Sequence, residues 1–224
     1  MIKIDRTDTY GWEAAVRGMR NPMNSWDKSD SHYCWEPQYP GGGCFGCELN
    51  SDHNCRVDKY IVGAADLDLM KRLIKSGTDH SKFLRMIGVT CDLTAPLYWW
   101  KEYDTYKVGT VANSCSTMHK IHSKKFERED FSTDHLIPRM KEVLDVTIAS
   151  LNACRGNYLE TNDKKWWWQM IQLLPTSYNQ KRTVQLNYAV LRNIYHSRKN
   201  HKLDEWHDFC HWIEGLPYSE LITM

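Results

Sequence analysis

The segment Ile87-Gly88-Val89-Thr90-Cys91-Asp92-Leu93-Thr94-Ala95-Pro96-Leu97-Tyr98-Trp99-Trp100 constrains the fold more than any other part of the chain. Ile87, Val89, Cys91 and Leu93 alternate with Thr90 and Asp92, the period of two expected of a strand with one buried face. Pro96 suits the first turn of a helix, where a missing N–H costs nothing and a fixed φ helps. Aromatic residues then continue to Tyr103. A strand that leads straight into an aromatic helix belongs to a mixed α and β protein, with the helix covering the apolar face of the sheet.

Other segments are mostly helical in pattern. Gly11 to Met19 reads as a short helix, stopped at Asn21-Pro22 because the residue before proline avoids the helical region. Residues 24–57 are polar, aromatic and Gly-rich, and are expected to form a loop or insertion within a single domain spanning 1–224. Asp66 is placed to cap a helix carrying Leu69, Met70, Leu73 and Ile74, with Lys75 near its end and Gly77 just beyond. Phe131 to Ala153 is expected to be helical, capped by Ser132, Thr133 or Asp134, with Ile137, Met140, Val143, Leu144, Ile148 and Leu151 as its apolar positions. Trp166 to Leu174, Val184 to Ser197 and Glu205 to Glu214 add further helices. The predicted class is α/β (α+β), helix-rich with a small sheet.

Charge narrows the partners. Among 224 residues, 29 Lys and Arg face 28 Asp and Glu, so no cationic excess exists to hold a phosphate backbone by counterion release. Extended nucleic-acid binding is not expected. The start, Met1-Ile2-Lys3-Ile4-Asp5-Arg6, lacks an apolar leader core, and no segment approaches the roughly 20 apolar residues that span a bilayer. A soluble, cytoplasmic protein without membrane contact is expected.

The eight cysteines fall into two groups. Cys91, Cys115, Cys154 and Cys210 are scattered through apolar or helical patterns, where a thiol behaves as a small hydrophobe. Cys34, Cys44, Cys47 and Cys55 instead crowd with His32 and His53 around Gly41-Gly42-Gly43. Two thiolates spaced as Cys44 and Cys47 can reach one Zn²⁺ at about 2.3 Å. A structural zinc held by these four cysteines, with His53 as a substitute ligand, stands beside the alternative of free thiols, and a redox pair is a third reading.

Lys107, Thr110, Asn113, Ser114, Ser116 and Thr117 form a hydroxyl-rich run that suits an anion or nucleotide pocket, the alternative being a solvated turn. Trp99-Trp100 and Trp166-Trp167-Trp168 are expected in the core or at a subunit interface. No Walker loop or H-E-x-x-H is present.

The region from Thr94 to His119 resembles the signature of the flavin-dependent thymidylate synthases, in which Ala-Pro leads an aromatic helix and R-H-R-x-x-S-x-N-E-x-S-x-R-Y follows. The register sets Thr105, Tyr106 and Lys107 on R-H-R and Thr110 on the first Ser. Three further places agree in order: Leu73-Ile74-Lys75 with Asp79-His80-Ser81, Leu173-Leu174-Pro175, and Asn187 to Arg198, which keeps Asn187, Leu191 and Arg198. His201 and Glu205 match the segment beyond. Together they carry the resemblance over residues 60 to 214.

The resemblance implies a homotetramer, of bacterial or bacteriophage origin, that binds FAD and a deoxynucleotide where subunits meet. Its activity would be one-carbon transfer from methylenetetrahydrofolate to deoxyuridylate, with reduced flavin as hydride source. His80, Lys107, Thr110 and Asn187 fall at flavin positions; Glu102, Asn113, Ser114, Cys115, Ser116, Thr117 and Arg198 fall at substrate positions. Thr105, Lys107 and Thr117 replace arginines whose forked guanidinium binds phosphate bidentately. Glu102 replaces a nucleotide-binding Gln, and a carboxylate repels phosphate unless a cation or proton intervenes. Two functions follow from this pattern. One is a flavin-dependent enzyme that methylates or hydroxymethylates a pyrimidine nucleotide at C5. The other is a non-catalytic protein that sequesters or senses a nucleotide, or acts through protein contacts.

Overall fold

The computed structural model describes residues 2–33 and 60–224. They form two compact units: one comprises residues 2–8, 89–186 and 190–223, the other 9–33, 60–88, 187–189 and 224.

In the second unit the chain leaves strand β1 (Lys3–Tyr10) through Gly11 and enters helix α1 (Trp12–Arg20). Gly11 has φ +85°, and a Cβ there would lie 2.1 Å from the Met86 carbonyl oxygen, so no other residue fits. Trp12, Ala15, Val16 and Met19 recur at helical spacing and are buried. A two-stranded antiparallel ribbon pairs β2 (His32–Tyr33) with β3 (Tyr60–Ile61), so part of the expected loop is a strand. Tyr33 and Tyr60 pack edge to face across it at 5.0 Å, and the Tyr33 hydroxyl donates to Glu13 at 2.7 Å.

Helix α2 (Ala64–Lys75) ends as expected before Gly77, but Asp66 does not cap it. The N-terminus is satisfied by Asp30, which accepts from the backbone N–H of Ala65 and Asp66 at 2.8 and 3.0 Å. Asp66, already inside the first turn, points inward to a buried Arg20 at 2.6 Å and accepts from the Ser29 and Ser31 hydroxyls, each at 2.6 Å. Burial opposes ionisation of its carboxyl, yet the hydrogen bonds from Ser29, Ser31 and Arg20 outweigh it and hold the group below the ordinary carboxylate range.

The first unit is built on a four-stranded sheet of order β1-β4-β6-β5, with β4 (Gly88–Pro96) inside it. Val89, Cys91, Leu93 and Ala95 are buried, as the alternation predicted. Asp92, expected on an open face, is buried as well: in a central strand it receives the Thr183 hydroxyl at 2.7 Å and Lys181 Nζ at 2.8 Å, and Lys181 holds its carboxyl below the usual range. Helix α3 (Leu97–Tyr103) follows Pro96 directly and drives Trp99, Trp100 and Tyr103 into the core. Trp99 stacks on Tyr103 at 5.2 Å and packs on Trp206 at 4.6 Å.

Strand β5 (Val111–Ser114) lies at the sheet edge, antiparallel to β6 (Asn179–Asn187), with Val111 opposite Gln185 and Ser114 opposite Arg182. Val184 to Asn187 is therefore strand and not helix; buried Gln180, Val184 and Leu186 alternate with exposed Lys181, Thr183 and Gln185, a period of two that β-branched Thr183 and Val184 favour. Helix α4 (Pro138–Thr161) starts later than the sequence suggested, because Pro138 clashes with a helix arriving from Ile137. Phe131 bridges to Tyr178 and the Ser132 N–H donates to the Ser177 carbonyl at 2.8 Å; a turn closed by the Leu136 N–H on the Thr133 carbonyl at 3.1 Å then leads to Ile137, so Ser132, Thr133 and Asp134 do not cap α4. Asn162, left-handed at φ 51°, ends α4, and Asp163 caps α5 (Lys164–Leu173) by accepting from the Lys165 N–H at 2.9 Å. The α4–α5 hairpin closes a second core of Ile121, Phe126, Phe131, Leu144, Ile148, Leu151 and Met170. Trp166 and Trp167 are half-buried and Trp168 is exposed. Helices α6 (Tyr188–Arg198), α7 (Asp204–Glu214) and α8 (Glu220–Thr223) complete the chain. No helix among the described residues is long and apolar enough to cross a membrane.

Candidate functional site

The sharpest polar constellation lies in the first unit, where the ends of α3 and α6 meet the start of α7. Arg198 is the last residue of α6, so its positive charge lies at the negative end of the helix dipole. Its Nη1 donates to Glu102 Oε2 at 2.7 Å and its Nε to the Tyr106 hydroxyl oxygen at 2.8 Å. The guanidinium also lies over the Trp206 ring, 4.8 Å from its centroid. Glu102 Oε2 accepts a second hydrogen bond from Trp206 Nε1 at 2.9 Å, and His201 Nε2 approaches the same oxygen at 3.3 Å.

Local structure explains each position. Glu102 sits in the last turn of α3, and Tyr106 in the turn just past it, closed by Thr105 N–H to the Glu102 carbonyl at 3.1 Å. His201 is fixed in the α6–α7 connection by accepting at Nδ1 from the Leu203 N–H at 3.2 Å. Trp206, wholly buried, belongs to the first turn of α7. Arg198 and Glu102 keep 18% and 34% of their side-chain surface in solvent, so the pair is desolvated on one side and open on the other. A guanidinium has five N–H donors, and these two bonds use two of them. The arrangement is a cation clamped on an aromatic wall by one carboxylate, and any anion binding Arg198 here would have to compete with that carboxylate.

Next to it, Glu205 is buried and accepts a short hydrogen bond from the Tyr98 hydroxyl; burial, then the Glu205 carboxylate, push that phenol well above the ordinary tyrosine value. A second guanidinium, not singled out from the sequence, is Arg182. It stacks over Trp100 at 4.0 Å and donates to both Asp104 oxygens, at 2.7 and 3.4 Å. Nothing in local pattern marks it, because its partners come from α3 and the turn after it.

The other residues expected at the site are more dispersed. Lys107 is exposed, and the Thr110 hydroxyl donates to the Tyr106 carbonyl. Asn113 and Ser114 are exposed on the edge strand β5, whereas a turn or pocket was expected. Cys115 prolongs that edge, its N–H donating to the Lys181 carbonyl at 2.9 Å and its carbonyl accepting from Gln180 Nε2 at 2.8 Å. Ser116 Oγ accepts from the His119 N–H at 2.8 Å, and Thr117 is half-buried beside it. These bonds run to β6 and to neighbouring backbone, not to Arg198. His80 and Asn187 belong to the second unit; His80 is exposed, with its N–H on the Gly77 carbonyl at 3.2 Å. Cys34, Cys44, Cys47 and Cys55 lie outside the described residues. Among the described residues no group of three or more His, Cys, Asp and Glu is arranged to hold a metal.

No protein-family model matches the chain, and no curated protein matches it. Solved structures do. The flavin-dependent thymidylate synthase ThyX of Helicobacter pylori, complexed with FAD and dUMP, superposes with a TM-score of 0.66 at 16% identity, over 98% of this chain and 97% of that one. A second structure of the same enzyme with FAD and dUMP gives 0.65 at 16% identity, over 100% and 97%. The chain therefore has the fold of the flavin-dependent thymidylate synthases along its whole length. At this identity the likeness is one of backbone, and the site has to be judged on its own residues.

Proposed function

We propose that the chain is a divergent protein of the flavin-dependent thymidylate synthase fold that binds a pyrimidine nucleotide, with Arg198 as its anchoring cation. The observation that carries this is the setting of Arg198 at the α6 terminus, braced by Tyr106 and Trp206 and reaching solvent on one side. The presence of dUMP and FAD in the two similar structures supports a nucleotide-like ligand.

The residues assigned to flavin fit that cofactor poorly. Lys107 is exposed, the Thr110 hydroxyl is engaged by backbone, and Thr105, Lys107 and Thr117 stand where bidentate guanidinium groups would be needed. No chemical step is derived through a flavin. The grip of Glu102 on Arg198 favours the non-catalytic reading, a protein that captures or senses a nucleotide by exchanging an internal carboxylate for a ligand phosphate. The enzymatic reading, transfer of a methyl or hydroxymethyl group to the pyrimidine C5 with FAD, is the alternative. Assembly as a homotetramer, a cytoplasmic setting, a role in bacterial or bacteriophage nucleotide metabolism and a structural zinc on Cys34, Cys44, Cys47 and Cys55 belong to the same proposal.

Calorimetric titration with deoxyuridylate, deoxycytidylate and FAD tests it. Loss of one charge-assisted contact costs about 1.5 to 3 kcal/mol, so Arg198→Ala should weaken the preferred ligand roughly 10- to 150-fold. Wild type that binds none of them at millimolar concentration rules out the nucleotide site. An oxidised-flavin band in the spectrum of the purified protein would restore the enzymatic reading.

A further inference from the structure

We infer that Glu102 is a specificity determinant of the Arg198 site: it accepts the last proton of a phosphate monoester, so that a monoester binds in preference to a phosphodiester. The inference rests on the nucleotide-binding reading of that site. Three N–H groups converge on one oxygen of the carboxylate, Oε2: Arg198 Nη1 at 2.7 Å, Trp206 Nε1 at 2.9 Å and His201 Nε2 at 3.3 Å. Among the described residues no donor reaches the other oxygen, Oε1. When an anion takes Arg198, Trp206 and His201 still hold Oε2. The carboxylate therefore gives up the cation without leaving the site.

The guanidinium fixes where that anion stands. Nε is spent on the Tyr106 hydroxyl oxygen and Nη1 on Glu102, which leaves the hydrogens of Nη2. Nη2 lies between the other two nitrogens on the outer edge of the planar fork, so an anion drawn to it has Tyr106 on one side and Glu102 on the other. The Tyr106 hydroxyl accepts from Nε and keeps its own hydrogen to donate. Arg198 and Tyr106 thus offer donors, and Glu102 Oε1 an acceptor. A phosphate monoester in its monoanionic form matches this set: its ionised oxygens accept from Nη2 and Tyr106, and its P–OH donates to Oε1. A diester has no such proton. Its oxygens are all acceptors and would face a bare carboxylate, a repulsive contact that nothing offsets.

The other titratable groups in contact with the Arg198–Glu102 pair are His201, from the α6–α7 connection, and Tyr106, from the turn after α3. His201 Nδ1 already accepts from the Leu203 N–H at 3.2 Å, so the ring carries its hydrogen on Nε2, facing Glu102. A second proton on that ring would break the bond to Leu203, and Tyr106 already holds its hydrogen. The shared proton lies between Oε1 and the phosphate.

Calorimetric titration with deoxyuridylate and with its phosphate methyl ester, in buffers of different ionisation enthalpy, counts that proton. The second ionisation of a phosphate monoester falls near about pH 6, so at about pH 8 the nucleotide arrives as a dianion and about one proton should be taken up for each one bound; at about pH 5 nearly none should be. Affinity for deoxyuridylate should accordingly fall by up to about tenfold per pH unit above neutrality. The methyl ester should bind at least about tenfold more weakly at about pH 6, with no uptake. Glu102→Gln, whose side-chain amide donates to an ionised oxygen, should bind ester and diester alike, with no proton uptake at about pH 8. Deoxyuridylate bound by wild type without proton uptake overturns the proposal and leaves the nucleotide site standing. So does a methyl ester bound as tightly as deoxyuridylate, or with the same uptake, which puts the proton on His201. Wild type that binds neither ligand in acid or at neutrality overturns this proposal and the nucleotide reading together.

Discussion

Glu102→Gln is the most informative single change, because it removes the charge that competes for Arg198 while leaving the side chain nearly isosteric. In the native chain Glu102 Oε2 lies 2.7 Å from Arg198 Nη1 and 2.9 Å from Trp206 Nε1. The amide oxygen of Gln can still accept from Trp206, so the local packing should hold. Two unit charges about 4 Å apart attract by roughly 4 kcal/mol at an effective dielectric of about 20, and by roughly 1 kcal/mol in bulk water. The pair is one-third exposed at Glu102 and one-fifth at Arg198, so water screens it substantially. The competition therefore amounts to about 1 to 3 kcal/mol, and its removal should tighten a phosphate-bearing ligand roughly 5- to 150-fold. Titration of wild type, Glu102→Gln and Arg198→Ala with deoxyuridylate reads this directly, and the gain should vanish in Glu102→Gln combined with Arg198→Ala. If Glu102→Gln binds no tighter than wild type, or weaker, then Glu102 is not a competitor, and the exchange of carboxylate for phosphate is refuted.

Three further outcomes are expected. Asp66→Asn should destabilise the protein by about 3 to 5 kcal/mol in denaturant melts, since it leaves Arg20 charged and buried without its counter-ion; a loss below about 1 kcal/mol would mean the pair is dispensable. Because the folded Asp66 carboxyl is held below its unfolded value, its contribution is complete above the ordinary carboxylate pKa of about 3.9 and is lost as pH falls through the lower folded value, so wild type should lose this increment in acid while Asp66→Asn shows no such dependence. Metal analysis of protein prepared without chelator should return one zinc per chain, lost in Cys44→Ser, and metal-free protein with full stability would favour free thiols.

The elements with an unbroken period were legible in the chain. Ile87 to Leu93 declared a strand and Leu97 to Tyr103 the helix after it, because alternation and the proline are local properties. Leu69 to Gly77 and Glu205 to Glu214 declared helices for the same reason. Where two periods overlapped the sequence misled: Val184 to Asn187 fits the apolar spacing of α6 but follows β6, whose neighbours β4 and β5 hold it extended. Arg198 and Glu102 were each singled out by the resemblance, one as a position kept and one as a position replaced. That they bond to each other was not legible, because 96 residues separate them and nothing local encodes the contact. The same holds for Arg20 and Asp66, 46 residues apart, where an acid that looked like a helix cap proved to be the buried partner of a cation. The sequence by itself determined strand or helix where one period ran unbroken, as in β4, α2 and α7, since that follows from residue order over a few turns. Tertiary structure alone decided which charges neutralise one another, because pairing depends on distances set by the packing of α3, α6 and α7, and on the burial that makes an unpaired charge too costly to keep.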